Sequence, residues 1–302
     1  MSPLLAVLAP LVPLMRLHPA PRTPESEAHF AELIYRTCHG RQDSLHAGGP
    51  ALGSDEALAR EFVARLSNAN GGIGPEHAGW TVGAVEDDGR LVVELDGLML
   101  WVDPQPGAAP GDRVPVRFPK EYRNLYPGHY VVIGDADTGE ISHPLRLYWN
   151  VRADGAESLV RCVSGAFNRS KLPFRLKVLS EPAGYSRADA AILYIPSQHR
   201  GEAAALVKGV YREMGELLHP AVSVFVLPLA PGLGLAENPP DGSSFGMHRS
   251  RLIAPLLYNA LDLSDPLAGV AVALETAGYR LDRFYLNPGS AESYGAFQID
   301  AD

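Results

Sequence analysis

The chain of 302 residues carries 26 Lys and Arg against 35 Asp and Glu, a formal net charge of −9. With 46% hydrophobic and 20% charged residues it can bury a substantial core, which excludes global disorder. A generic nucleic-acid binder displays a basic field or stripe and this chain has none, so any anion it holds must be met by a local cluster.

The opening segment, "MSPLLAVLAPLVPLMRLHPAPRTP", is apolar but cut by prolines at 3, 10, 13, 19 and 21. No basic stretch precedes it and its apolar runs are too short to span a bilayer, so no membrane partner is expected. A short helix or extended arm packed on the core is expected there, with a partner-binding arm or peripheral anchor as the other reading. "SEAHFAELIYRTC" places Phe30, Leu33 and Ile34 at helical spacing. "SDEALAREFVARL" opens on Ser54 as an N-cap and sets Leu58, Phe62 and Leu66 on one face. The stretch between them reads as loop, and "SNANGGIGPEHAGW" as turns. One domain spanning residues 1–302 is predicted, with a helical lobe over 1–75 and an α+β core over 76–302.

From Trp80 the period changes to two, with Asp-Gly turns at 88–89 and 96–97. "PGAAPGDRVPVRFPKEYRNLYPG" reads as a long loop holding one short strand. "HYVVIGDA" and "LRLYWNV" form a strand pair across "DTGEISHP". A helix over "ESLVRCVSGAFNRS", strands at "FRLKVLS" and "AAILYIP", a helix at "GEAAALVKGVYREMGELL" and a strand at "VSVFVLPLA" follow. Helices at about 247–262 and 266–277 precede an irregular tail. The predicted class is α+β, with a mixed or antiparallel central sheet and helices at both ends.

Candidate chemistry begins on the strands. Arg175 and Lys177 share one face of "FRLKVL", and Arg146, Tyr148 and Asn150 one face of "LRLYWN". Two neighbouring strands of this kind can turn their cations toward one cleft, although solvated strand faces show the same alternation. "RFPKEYRNLYPGHY" puts Lys120, Tyr122, Arg123 and Tyr126 in the predicted loop, where binding residues concentrate on rigid scaffolds. Arg187 and Asp189 stand just before a strand, placed to pair with each other or to cap a turn.

"PLAPGLGLAENPPDGSSFGMHRSRL" is the most unusual stretch. It places His248, Arg249 and Arg251 where a helix begins, against the macrodipole. Backbone amides and arginines at such a helix start make an oxyanion or phosphate cradle, and pairing with Asp241 or Glu237 is the competing reading. No GxxxxGK[ST], HExxH or GxSxG motif occurs, so no metal or other cofactor is expected. Cys38 and Cys162 lack metal or redox spacing, which predicts two free thiols and a cytoplasmic protein.

"NGGIGPEHAGW", "YPGHYVVIGDA", "LRLYWNV", "LPFRLKVLSEPAGYSRADAAILYI", "PLAPGLGLAENPPDGSSFGMHRSRL" and "YLNPGS" occur in that order over roughly residues 65–290. In these blocks the chain resembles the HopA-type type III secretion effector family. That family also supplies the lyase component of class V lanthipeptide and thioviridamide-like biosynthesis, and the Ala-, Arg- and Pro-rich composition is closer to this biosynthetic branch. The resemblance implies a phosphoserine or phosphothreonine lyase. Its substrate would be a precursor peptide, with a leader and a core phosphorylated by a separate kinase-like protein, and its product dehydroalanine or dehydrobutyrine. The alternative is a non-catalytic protein that binds a peptide or a kinase partner.

Elimination of phosphate needs a base for the Cα proton, donors for the enolate, and cations with a proton donor for the leaving group. Lys177 is the expected base, its pKa lowered by burial and by neighbouring cations. His248 is the expected proton donor. Arg146, Arg175, Arg249, Arg251, Lys120 and Arg123 are the expected phosphate ligands, with Tyr148, Arg187 and Asp189 as further candidates. The leader needs a groove, for which an exposed strand edge within residues 80–150 is expected.

Overall fold

The computed structural model describes residues 2–17, 23–41, 56–136 and 143–299. In chain order, the elements are α1 (Pro3–Leu8), α2 (Leu11–Leu17), α3 (Pro24–Ile34), α4 (Glu56–Ala69), β1 (Glu76–Val85), β2 (Leu91–Leu95), β3 (Leu98–Val102), β4 (Arg113–Arg117), β5 (Glu121–Tyr126), β6 (His129–Ile133), β7 (Pro144–Trp149), α5 (Ala156–Arg169), β8 (Arg175–Leu179), β9 (Ala191–Pro196), α6 (Arg200–Met214), β10 (Leu227–Ala230), β11 (Leu233–Glu237), α7 (Phe245–Ala260) and α8 (Pro266–Thr276). A π-helical turn, Tyr35–His39, continues α3. The expected cap at Ser54, the loop around it and most of "DTGEISHP" lie outside the described residues.

The fold is α+β, as composition and periodicity predict. The strands divide between a four-stranded sheet in the order β3-β2-β1-β4 and a seven-stranded sheet in the order β10-β11-β7-β9-β8-β6-β5. Every pairing is antiparallel. Period-two alternation gives the large sheet two unlike faces. One carries Leu145, Leu147, Trp149, Leu176, Val178 and Leu193 into a core completed by α4, α5 and α6. The other carries Tyr148 and Ala236 into a second core with α1–α3, α7 and α8.

The N-terminal segments divide between these cores. Leu4, Leu8, Met15, Phe30 and Ile34 pack with Ile253, Leu257 and Val270, whereas Phe62 and Leu66 of α4 pack with Val163 and Phe167. α3 starts at a capping box in which Thr23 accepts from the Ser26 amide and the Ser26 hydroxyl accepts from the Thr23 amide.

Two stretches depart from expectation. "EYRNLY", read as loop, is β5, an edge strand that bonds to β6. The glycine-punctuated "LGLAE" is β11, a buried strand between β10 and β7. Sequence periodicity missed both for physical reasons. β5 carries a register shift between Tyr122 and Tyr126. In β11, Gly234 is required by the close approach of Val226, whose Cγ2 lies 2.3 Å from where a Cβ would stand.

Candidate functional site

The polar face of the large sheet opens into a cleft of about 500 Å³. Strand register determines which side chains meet there. Arg175 lies opposite Tyr194, and Tyr194 opposite Arg146. In the next row Val131, Lys177, Ile192 and Tyr148 follow one another across β6, β8, β9 and β7. With strands about 4.8 Å apart, Arg175 and Arg146 flank Tyr194 at backbone positions roughly 10 Å apart, a span that long side chains converge across. Arg187, Asp189, His129, Tyr126, Tyr35 and His39 line the same cleft.

Arg146 is buried and partly committed. Its Nε donates to Asn238 Oδ1 at 2.8 Å, its Nη2 to the Ser243 carbonyl at 2.7 Å, and its guanidinium lies over the Tyr194 ring. Lys177 differs. Its Nζ stands 4.8 Å from the Tyr126 ring centroid and has no hydrogen-bond or ion-pair partner among the described residues. Burial lowers its pKa from the ordinary lysine value, Arg146 and Arg187 lower it further, and Asp189 opposes them. The amine is therefore easier to deprotonate than a surface lysine.

Asp189 anchors the opposite wall. Arg187 donates to its two oxygens from Nε at 2.9 Å and from Nη2 at 2.7 Å, and Tyr35 donates its hydroxyl to Oδ2. Burial opposes the Asp189 charge, yet Arg187 outweighs it and holds the carboxyl well below its usual range. His39 Nε2 is 3.8 Å from Asp189 Oδ2, but burial pushes that imidazole down to about 4, so at neutral pH the contact is not an ion pair. The Nδ1 of His39 is 2.8 Å from the Ser223 hydroxyl. Gly246 permits this packing, because a Cβ there would meet the His39 ring at 2.2 Å. His129 is also held neutral, pushed down to about 4 by burial and then by Lys177. Its Nδ1 lies 2.8 Å from the Pro127 carbonyl, which can only accept, so Nδ1 carries the proton and Nε2 presents a lone pair.

Of the expected site residues, Arg146, Tyr148, Arg175, Lys177, Arg187 and Asp189 line this cleft. The others do not. Arg249 is fully buried, donating to the carbonyls of Phe284 at 3.1 Å and Leu286 at 2.8 Å between the rings of Phe245, Tyr279 and Phe284. Its donors tie the C-terminal tail to α7. Arg251 is exposed on α7. Lys120 Nζ donates to the Asn70 carbonyl at 2.8 Å, and Arg123 bonds Glu121 and the Ser67 hydroxyl, so both brace β5 against α4. His248 lies outside the cleft lining. Its Nδ1 accepts from Arg249 Nη1 at 3.0 Å, and burial followed by Arg249 lowers its pKa.

The glycine-rich stretch reaches the cleft through Asn238, Gly242 and Ser244 rather than through its arginines. Glu237 does not neutralise those arginines. It accepts from the Asn287 amide, the Ser290 hydroxyl and the Tyr294 hydroxyl. Asn150, on the cleft-facing side of β7, instead bonds the Ala221 carbonyl at 2.8 Å. Sequence reasoning missed Tyr35, His39, His129, Tyr194 and Asn238. His129 and Tyr194 were legible in principle, since both fall in phase with the cationic positions of adjacent strands.

Among the described residues no group of three or more His, Cys, Asp or Glu could hold a metal ion, and no helix is long and apolar enough to cross a membrane. The description "HopA1 effector protein family" belongs to a family model that matches residues 121–286. The structure of an effector protein from Pseudomonas syringae pv. tomato strain DC3000 superposes with a TM-score of 0.51 at 16% identity, over 94% of this chain and 98% of that one. An effector protein from Pseudomonas syringae pv. syringae strain 61 gives 0.48 at 16% identity, over 87% and 96%. No curated protein matches. At 16% identity the likeness to the strain DC3000 effector speaks for the fold alone.

Proposed function

Because the chain belongs to the HopA1 effector protein family and its cleft gathers cations around one lysine, we propose that it is a lyase removing phosphate from phosphoserine or phosphothreonine in a peptide. One observation carries this reading: Lys177, its pKa lowered and its Nζ without a partner among the described residues, shares a cleft with Arg146, Arg175 and Arg187. A structural lysine would be paired, and a solvated one would not be desolvated among arginines.

In the proposed reaction the neutral Lys177 amine takes the Cα proton. The electron pair of that C–H bond becomes the Cα–Cβ double bond, and the Cβ–O bond breaks with its electrons leaving on the phosphate oxygen. Phosphoserine yields dehydroalanine and phosphothreonine dehydrobutyrine. The step is redox-neutral and calls for no cofactor. Arg175 holds the dianion, together with the parts of Arg146 not committed to Asn238 and Ser243 and of Arg187 not committed to Asp189 and Tyr35. The leaving phosphate takes a proton from a histidine. His129 lines the cleft and His248 does not; burial and then Lys177 hold His129 neutral, and an incoming dianion opposes both by favouring a proton on its Nε2, the proton it would hand to the leaving group. The substrate is a precursor peptide whose core a separate kinase-like protein has phosphorylated.

Incubation with a phosphothreonine peptide, followed by intact-mass measurement, tests the reading. Loss of phosphoric acid is expected, and Lys177→Ala should abolish it. Full activity in that variant would remove Lys177 as the base. No loss with the parent protein, even beside the partner kinase, would favour a non-catalytic protein that binds a peptide or kinase.

A further inference from the structure

A second cavity of about 440 Å³ adjoins the cleft and shares Tyr126, Val131 and Arg175 with it. Its remaining walls are mostly apolar, among them Pro75, Phe118, Tyr122, Leu125 and Ile133. They come from four sources: the end of the small sheet, the turn before β1, the edge strand β5, and β6, which carries Ile133. Strict alternation along β5 would send Leu125 to the face opposite Tyr122 and Tyr126. The register shift between Tyr122 and Tyr126 breaks that alternation, and all three line the cavity. Bulges of this kind re-aim side chains beside functional sites.

The result is unusual for an edge strand. Tyr122 is 37% exposed, Leu125 56% and Tyr126 47%, so three large apolar side chains of one six-residue strand face solvent with no covering element among the described residues. The floor beneath them is packed. Phe118 meets the His77 ring at a tilt of 45° with centroids 4.7 Å apart, and Ile133 is buried. Arg175 stands at the boundary, in both cavities.

We infer that this apolar cavity is a specificity subsite that takes an apolar side chain flanking the phosphorylated residue of the same peptide. The inference rests on the elimination reading for its substrate. Its own support is the continuity of the two cavities through Tyr126, Val131 and Arg175. A peptide whose phosphate meets Arg175 in the cleft must pass neighbouring residues over β5, and that surface rewards Leu, Ile, Val or Phe rather than a charge. The polar rim on the Asn238 side of the cleft offers no comparable surface.

The test uses the full chain and pairs of phosphothreonine peptides that differ only in one flanking residue, Leu against Asp, placed in turn on each side. Phosphate loss gives kcat and KM, and anisotropy of the labelled phosphopeptides gives Kd. One of the two placements should favour Leu by on the order of tenfold in kcat/KM, carried by KM. Leu125→Ser and Tyr122→Ser, both at exposed positions, should bring the Leu-to-Asp ratio toward one. Equal kcat/KM and equal Kd for Leu and Asp on both sides would overturn the subsite while leaving elimination intact. A preference unmoved by both variants would overturn the assignment to β5. If no peptide loses phosphate but the Leu peptide binds more tightly, and does so through Leu125, the subsite stands and the elimination reading falls.

Discussion

Replacing Asp189 with Asn removes one charge and leaves the shape of the cleft wall nearly unchanged. Arg187 loses a bidentate partner, and the new amide turns an N–H₂ group toward a guanidinium that can only donate. Removing one partner of a buried ion pair costs about 3–5 kcal/mol. Asp189 is 4% exposed but Arg187 retains 23%, so water partly resolvates the stranded cation and the lower end, about 3 kcal/mol, is expected. Urea unfolding followed by tryptophan fluorescence reads this difference. The carboxyl is held below its ordinary 3.8, so its contribution is full above that value and is lost as pH falls toward the folded-state value. The gap between parent and Asp189→Asn should thus be constant from pH 7 to about 5 and narrow below that. Asp189 also opposes the lowering of the Lys177 pKa, so the variant's activity should rise at lower pH than the parent's. A gap under about 1 kcal/mol, or one that widens on acidification, would refute the account of Asp189 as the anchor of Arg187.

Arg146→Gln removes a cation that depresses Lys177, so the ascending limb of the phosphate-loss profile, set by deprotonation of Lys177, should move to higher pH, and a limb that stays put would contradict that coupling. Gly246→Ala drives a methyl into the His39 and Tyr35 rings, at 2.2 and 2.7 Å, and should cost about 1–3 kcal/mol by denaturant unfolding. Arg249→Met strands the Phe284 and Leu286 carbonyls and should destabilise by about 2–4 kcal/mol, while phosphopeptide Kd measured well below the melting range stays within about twofold. A selective loss of binding in Arg249→Met would instead return Arg249 to the anion site.

The cationic rows were legible in the sequence because they follow local rules. Period two put Arg175 with Lys177 and Arg146 with Tyr148, and sheet register needed only to bring the two strands within reach of each other. β9 lies between them, a topological fact that no local pattern in the sequence contains. The cations at 248–251 misled for a related reason. Position on a helix start implied an anion, yet adjacent helical residues diverge: Arg249 points inward to tail carbonyls and Arg251 outward to water. Tyr35 and His39 were invisible because they join Asp189 from about 150 residues away, through a π-helical turn that the helical pattern of α3 does not announce.

The unlike faces of the seven-stranded sheet bear on how this protein can change. Along β7, β8 and β9, side chains turned toward α4, α5 and α6 are interlocked with one another, and each constrains its neighbours' volume. Those turned the other way meet either the cleft, where water can fill whatever a substitution vacates, or, at Tyr148, the second core. Alternate residues of a single strand therefore face different tolerances. A library that randomises Arg146, Arg175, Lys177, Ile192 and Tyr194 while holding Leu147, Leu176 and Leu193 should retain folded members at high frequency, and the complementary library should not. New anion specificities are within reach of this scaffold by changes at every second residue.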